Sequence, residues 1–241
     1  MEMVKNRDII KPNLKYPEDF INKIICGDCL ELIKSIPNNS IDVVLTDPPY
    51  GLNKDGVRGD ADLSLFYNVL PECDRVLKKH SFFVTFFSTK FLPQLFKDNP
   101  FNYFWQIVLY CPEGRVKSPI GYTKFMSCVI FKKGNPKIIH WNKDIFVDTP
   151  GKMVEPDEGY IDHPTPKPKH FIKEILKMFT KENDLILDPF IGSGATAIAC
   201  VQLNRKFIGF EIEEKYCKIA LERVQKASGS VIKESGNSSL K

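Results

Sequence analysis

Apolar positions along this chain follow two rhythms. Short apolar runs rich in β-branched and aromatic residues, bounded by Gly, Pro, Asn or Asp, predict buried strands at 23–26, 41–46, 81–87, 105–110, 126–131, 184–188 and 207–210. Between most of them apolar residues recur at helical spacing. Leu30, Ile33 and Ile36 form one such set, and Phe66, Val69, Leu70, Cys73, Val76 and Leu77 a second. Lys90 to Phe96 reads as a short helix. Phe171, Ile172, Ile175, Leu176 and Phe179 give another an apolar face, and Tyr216, Ile219, Ala220 and Val224 mark the last. Strand and helix in alternation predict an α/β fold. Pro71 interrupts the second helical set, which predicts a kink or two short helices. The strands at 105–110 and 126–131 have no helix between them and are expected to pair antiparallel at one sheet edge.

Three stretches break the rhythm. Residues 1–22 are mixed and polar, with Pro12 and Pro17, and read as an arm ahead of the main domain at 23–225. Residues 134–162 show little periodicity and are long for a connection. Residues 226–241 are rich in Ser, Gly and Lys and read as a frayed or disordered tail. There are no internal repeats.

Composition narrows the class. A chain of 241 residues suits one large domain with a small insertion, and 43% hydrophobic content with 18 Phe supplies a sizeable core. A net charge of +4 is compatible with a nucleic-acid partner. The seven cysteines are scattered through apolar segments, which points to reduced thiols in a cytoplasmic protein. Cys26 and Cys29 form a C-x-x-C, but no second pair follows at zinc spacing, so no metal site is expected. No apolar leader opens the chain, and no run reaches the roughly 18 apolar residues of a membrane span.

The chemistry gathers at two motifs. The first is Asp47-Pro48-Pro49-Tyr50, directly after the strand 41–46. Proline cannot donate to a sheet ladder, so the pair ends the strand in a stiff turn. In open α/β sheets, ligands bind at the carboxyl ends of strands. Asp47 and the Pro48 carbonyl can both accept from one amino group, while Tyr50 offers a face for a planar ring. Two acceptors beside a stacking ring suit the exocyclic amine of a nucleobase. The plainer reading is a strand-ending turn with a surface aspartate.

The second motif runs from Asp188 through Pro189-Phe190-Ile191-Gly192-Ser193-Gly194-Ala195-Thr196. Strand, glycine turn and small-residue helix form a nucleotide-cofactor cradle, without the Lys of a diphosphate-binding loop. Glu211 ends the next strand, seventeen residues after Gly194, where a carboxylate can take both ribose hydroxyls. Asp28 follows the first strand and reads as either an acceptor for a ligand amine or a helix cap. Residues 51–60 hold three glycines with Lys54 and Arg58, and form a loop that closes over a ligand or simply lies on the surface. Arg115 and Lys117 sit in a basic loop. Lys137, His140 and Trp141 interleave basic and aromatic character.

Together these motifs resemble the S-adenosylmethionine-dependent DNA amino-methyltransferases. The tetrapeptide comes first, His163-Pro164-Thr165-Pro166-Lys167-Pro168 next, and the glycine turn last. That order resembles the β arrangement of the family, a circular permutation of the usual motif order, and the resemblance covers roughly 22–225. It implies a Rossmann-like methyltransferase fold with a mixed seven-stranded sheet and helices on both faces. It implies that Asp47, Pro48, Pro49 and Tyr50 hold the flipped target base. Asp188, Phe190, Gly192 and Gly194, with Ser193 and Thr196 in the same turn, would hold the methionine part of S-adenosylmethionine. Asp28, with Cys29 beside it, would meet the adenine amine and Glu211 the ribose. Thr165 and Lys167, and Asp47 itself, would also touch the cofactor. Residues 132–162 would correspond to target recognition, with Lys54, Arg58, Arg115, Lys117, Lys137, His140 and Trp141 on DNA. Double-stranded DNA is the implied partner, in a cytoplasmic, nucleoid-associated setting; a homodimer and a cognate restriction endonuclease stay open.

The expected reaction is methyl transfer to N6 of a flipped adenine at a specific site. Alternatives are cytosine N4, an RNA or protein-glutamine amine, and a non-catalytic DNA- or cofactor-binding subunit. No Pro-Cys dipeptide of the kind used for cytosine-carbon methylation is present.

Overall fold

The computed structural model describes residues 14–51, 62–112, 116–147, 154–155, 159–160 and 167–237. In chain order the strands are β1 (Lys23–Cys26), β2 (Ile41–Thr46), β3 (Leu77–Phe87), β4 (Asn102–Tyr110), β5 (Val116–Ser118), β6 (Gly121–Thr123), β7 (Phe125–Lys133), β8 (Ile145–Val147), β9 (Val154–Glu155), β10 (Gly159–Tyr160), β11 (Leu185–Asp188) and β12 (Lys206–Glu211). The helices are α1 (Cys29–Leu32), α2 (Ser64–Val76), α3 (Leu92–Lys97), α4 (Lys169–Phe179), α5 (Ala195–Gln202) and α6 (Glu214–Asn237).

Among the described residues the main sheet has eight strands in the order β1-β12-β11-β2-β3-β7-β4-β8. Its first five strands run parallel, and β7 is antiparallel to both β3 and β4. The antiparallel pair expected from the missing helix is therefore present. The sheet has one strand more than the seven expected, because Ile145–Val147 adds a parallel edge beside β4. Phe146 holds that edge down, buried with its ring 5.2 Å from Phe171 of α4. Three residues with one inward side chain are too short to announce a strand in sequence.

Both faces of the sheet are covered, as a parallel core requires. One core joins Val43, Leu45, Phe82, Val84 and Phe86 to α4, α5 and Ala220 of α6. The other joins Val44, Phe83, Phe87, Leu187 and Phe210 to α1, α2 and Leu95 of α3. Alternate residues of β2 and β3 feed opposite cores, which is why these strands read as unbroken apolar runs.

Three sequence expectations change. Residues 14–22 are not a loose arm: Phe20 is fully buried at 0% exposure, 6.4 Å from the Phe210 ring, and the Asn22 amide donates to the Phe207 carbonyl. The tail expected from 226 instead continues α6, with Ala227 buried at the next position of the Ala220–Val224 stripe. And α2 runs uninterrupted through Pro71, because Phe66, Val69, Leu70, Cys73 and Val76 all gain burial on one face of a single helix.

Gly194 sits at φ +87, and a Cβ there would meet the Ala220 Cβ at 3.0 Å. Gly194→Ala is expected to lower the unfolding free energy by about 1–3 kcal/mol. Gly229→Ala, in α6 with nothing within 4 Å, is expected to raise it by about 0.5–1 kcal/mol. Denaturant midpoints of the two variants check the contrast.

Candidate functional site

Four neighbouring parallel strands deliver a carboxylate to the same edge of the sheet. Asp28 lies just past β1, Glu211 ends β12, Asp188 ends β11 and Asp47 follows β2. Register fixes their neighbourhood: Cys26 pairs with Glu211, Asp188 with Gly209, and Leu187 with Val44. The Gly27 amide donates to the Glu211 carbonyl at 2.8 Å, so the ladder runs up to Asp28 before it opens.

The four acids face different ways. Asp188 is buried and accepts from Thr46 Oγ1 at 3.0 Å, Thr196 Oγ1 at 2.7 Å and the Phe190 amide at 3.1 Å. Burial pushes its carboxyl up to about 7, against the pull of those donors. Asp188 and Thr196 therefore tie β11, β2 and α5 together beneath the turn. Ser193 is buried too, with Arg223 Nη1 donating to its carbonyl at 2.5 Å and its Oγ at 3.1 Å. These three residues shape the cradle from within.

Glu211 is half-buried, and burial raises its carboxyl. Its Oε2 accepts from the Gly192 amide at 3.0 Å and its Oε1 from the Glu213 amide at 2.8 Å. A carboxylate held by two amides keeps further lone pairs for a pair of hydroxyls. Gly192 at φ +52 turns its amide onto Glu211. Phe190 is half-buried beside this turn. Asp28 caps α1, accepting from the Leu30 amide at 2.9 Å, so the helix-cap reading holds while the residue stays at the edge. Cys29 is buried, its thiol pushed up to about 12 chiefly by burial and next by the Asp28 charge. It is a core residue. Cys26 hydrogen-bonds with Cys217, so the C-x-x-C is not a pair of partners.

Asp47 has the most charged surroundings. Tyr50 donates its hydroxyl to Asp47 Oδ1, and Lys167 Nζ forms an ion pair with Oδ2. Lys167 Nζ also stands 5.7 Å from the Tyr50 ring centre and 5.5 Å from that of Phe86. Tyr50 packs edge-on to Phe87 at 6.0 Å. Pro48 is buried and Pro49 half-buried, which seats the turn on the core. The site thus holds a positively charged N–H donor against a carboxylate beside an aromatic face.

Not every predicted residue joins this edge. Lys137, His140 and Trp141 are exposed on another part of the molecule. The His140 amide lies against the Met178 carbonyl at the carboxyl end of α4, and Asn142 meets Glu174 one turn earlier. The segment starts at the foot of β7, opposite the Asp47 edge, and climbs along α4 to β8. The segment 132–162, expected to correspond to target recognition, lies partly outside the described residues; in its described part the Ile139 and His140 amides both donate to the Met178 carbonyl, which holds the chain against the end of α4. Lys117 is exposed in the β5–β6 hairpin. Lys54, Arg58, Arg115 and Thr165 lie outside the described residues.

Two residues escaped the sequence reading. Ile212, directly after Glu211, is 37% exposed at the site's rim, an apolar patch that suits a flat ring. Its signal was one isoleucine inside an otherwise charged run. Arg223 braces the glycine turn from α6, a contact no spacing rule links to Ser193.

A family model described as DNA methylase, of the N6/N4 amino-methyltransferase type, matches residues 97–222. The DNA adenine methyltransferase YhdJ of Escherichia coli K12 is 29% identical over 85% of this chain and 83% of its own length. The structure of an M1.HpyAVI–SAM complex aligns with a TM-score of 0.61 at 26% identity, covering 83% of this chain and 98% of that one. The cytosine-N4-specific PvuII DNA methyltransferase aligns with a TM-score of 0.70 over 83% of this chain and 85% of its own, and at 21% identity shows the shared fold.

The buried Asp188 makes stability depend on pH. Its folded value of about 7 lies above the ordinary carboxyl value near 4, so it favours the folded state fully below about pH 4 and that contribution is lost as pH rises towards 7. Asp188→Asn does not titrate. Unfolding free energies from pH 4 to 8 are expected to show the wild type losing roughly 2–4 kcal/mol relative to the variant. A difference that stays flat with pH contradicts this picture of Asp188.

Proposed function

Because the chain belongs to the N6/N4 DNA methylase family, we propose that it methylates N6 of a flipped adenine at a specific site in double-stranded DNA, with S-adenosylmethionine as donor. The observation that carries this is Asp47, a half-buried carboxylate after β2, already gripping an N–H donor beside the Tyr50 ring. The side chains present fit the cofactor. Glu211 offers a half-buried carboxylate braced by two amides, Gly192 and Gly194 keep the turn free of side chains, and Ile212 adds an apolar rim. When bound, S-adenosylmethionine supplies a methyl group activated on a sulfonium. Thr165 belongs to this reading through its segment alone.

The protein's own part is positioning and electrostatics. An exocyclic amine is a poor nucleophile because its lone pair is delocalised into the ring. Asp47 and the Pro48 carbonyl accept hydrogen bonds from its two N–H groups and favour a more pyramidal nitrogen, with the lone pair directed away from both acceptors; the methylated nitrogen then releases one of these protons. The Asp47 charge also stabilises positive charge developing on that nitrogen. An ammonium left on Asp47 Oδ2 opposes this, so Lys167 yields its place when the amine arrives. Tyr50, tied to Asp47 Oδ1, stacks on the base and returns about 1–3 kcal/mol of the unstacking cost.

Support for adenine comes from Asp at position 47, where serine goes more often with cytosine in this family, and from the E. coli adenine-specific relative. The cytosine-N4 reading is kept by the PvuII fold match, because the same acceptors suit either amine. Exposure of Lys117 on the hairpin that rises from the Asp47 edge supports a phosphate contact for it in this reading. Among the described residues no helix is long and apolar enough to cross a membrane.

Single-molecule sequencing of DNA from cells expressing the protein tests the reading. Expected is N6-methyladenine in one short motif, reduced by about 10²–10³ in rate with Asp47→Ala. N4-methylcytosine in its place corrects the base and keeps the mechanism. Unmodified DNA contradicts the proposal.

A further inference from the structure

The β5–β6 hairpin carries a side chain that its own fold does not explain. Ile120 is 98% exposed at the hairpin's tip. The turn has Ser118 paired with Gly121, leaving Pro119 and Ile120 as its two central residues. The second central position ordinarily takes Gly, Asn, Asp or Ser, for which φ freedom or a local hydrogen bond matters. An isoleucine there gains nothing for the hairpin. Tyr122, one residue beyond the turn, is 60% exposed, and Lys117 opposite it is also in solvent.

The hairpin's place in the fold gives these side chains a direction. β7 lies between β3 and β4 and is antiparallel to both, so β4 runs parallel to β3 and β2. Its carboxyl end lies on the same edge as Asp47. The ladder continues past Tyr110–Phe125 to a bond from the Cys111 amide to the Lys124 carbonyl at 2.6 Å. Lys124 Nζ then donates to the Pro112 carbonyl at 2.9 Å, closing the neck. Thr46 is level with Thr85, Val129 and Gln106, so this neck stands several residues above the level of Asp47. Three cross-strand pairs and Pro119 make the hairpin stiff.

We propose that this hairpin is a wedge, and that Pro119 and Ile120 enter the base stack beside the target while Asp47 and Tyr50 receive the extruded base. This rests on the reading that the substrate is duplex DNA. A base that leaves the stack costs a few kcal/mol in lost stacking and pairing. A stiff apolar tip lowers that cost by filling the vacated space, and Pro and Ile are among the residues that part base steps. Lys117 meets the adjoining phosphate charge. Ile120 is a positioning residue: it acts on the duplex and touches no reacting atom.

The test uses the full chain and a duplex carrying the motif defined by sequencing, with 2-aminopurine beside the target as the reporter of extrusion. A second duplex has the target base mismatched, which removes part of the cost of extrusion. Ile120→Asp is expected to lower methyl transfer on the matched duplex about tenfold, with a smaller 2-aminopurine signal, and to lose most of that defect on the mismatched duplex. Ile120→Leu is expected to keep both signals. Cofactor affinity, measured on both variants, is expected to match the wild type and shows that they are folded. Equal transfer by Ile120→Asp and wild type on the matched duplex overturns the wedge, as does a tenfold defect that the mismatch leaves unchanged. A wild type that methylates neither duplex overturns the substrate reading, and the wedge with it.

Discussion

Carboxylates brought to one edge by adjacent parallel strands repel each other and resent desolvation, so each persists only with its own donors. This constraint governs the site. Asp188 is sunk beneath the edge and satisfied by two threonine hydroxyls and an amide. Glu211 is braced by the Gly192 and Glu213 amides, and Asp28 by the amide it caps. Asp47 relies on the side chains of Tyr50 and Lys167. Backbone amides are fixed, whereas a lysine ammonium can leave. Asp47 is thus the acid at this edge best placed to exchange its donor for a substrate amine.

The same division separates holding from reacting. The glycine turn is rigid from below through Asp188 and Thr196, and from behind through Arg223 on Ser193. The prolines after β2 seat Asp47 on the core without giving it an amide partner. In the proposed reading, cofactor binding on the β11–β12 side and amine activation on the β2 side share an edge and use different supports.

Much of this was legible in the sequence because strand ends are local events. Asp47, Asp188 and Glu211 each follow an apolar run, and run lengths predict where strands stop. The missing helix between β4 and β7 revealed the antiparallel edge. What stayed hidden depended on contacts distant in sequence. The inward turn of Asp188 needs Thr46, 142 positions away. The path of Lys137 and His140 along α4 is set by the Met178 carbonyl, not by their own charge. Phe20 looked like part of a polar arm until Phe210 gave it a partner. The motif order, by contrast, carried the family resemblance, and the family match supports it independently over 97–222.

In the proposed function one edge divides its acids between binding the cofactor and activating the amine. Calorimetric titration of S-adenosylmethionine into wild type, Glu211→Ala and Asp47→Ala tests it most directly. Glu211→Ala is expected to weaken binding by about tenfold or more, as loss of charge-assisted hydrogen bonds implies, while Asp47→Ala stays close to wild type. Wild-type affinity in Glu211→Ala, or equal losses in both variants, would contradict it.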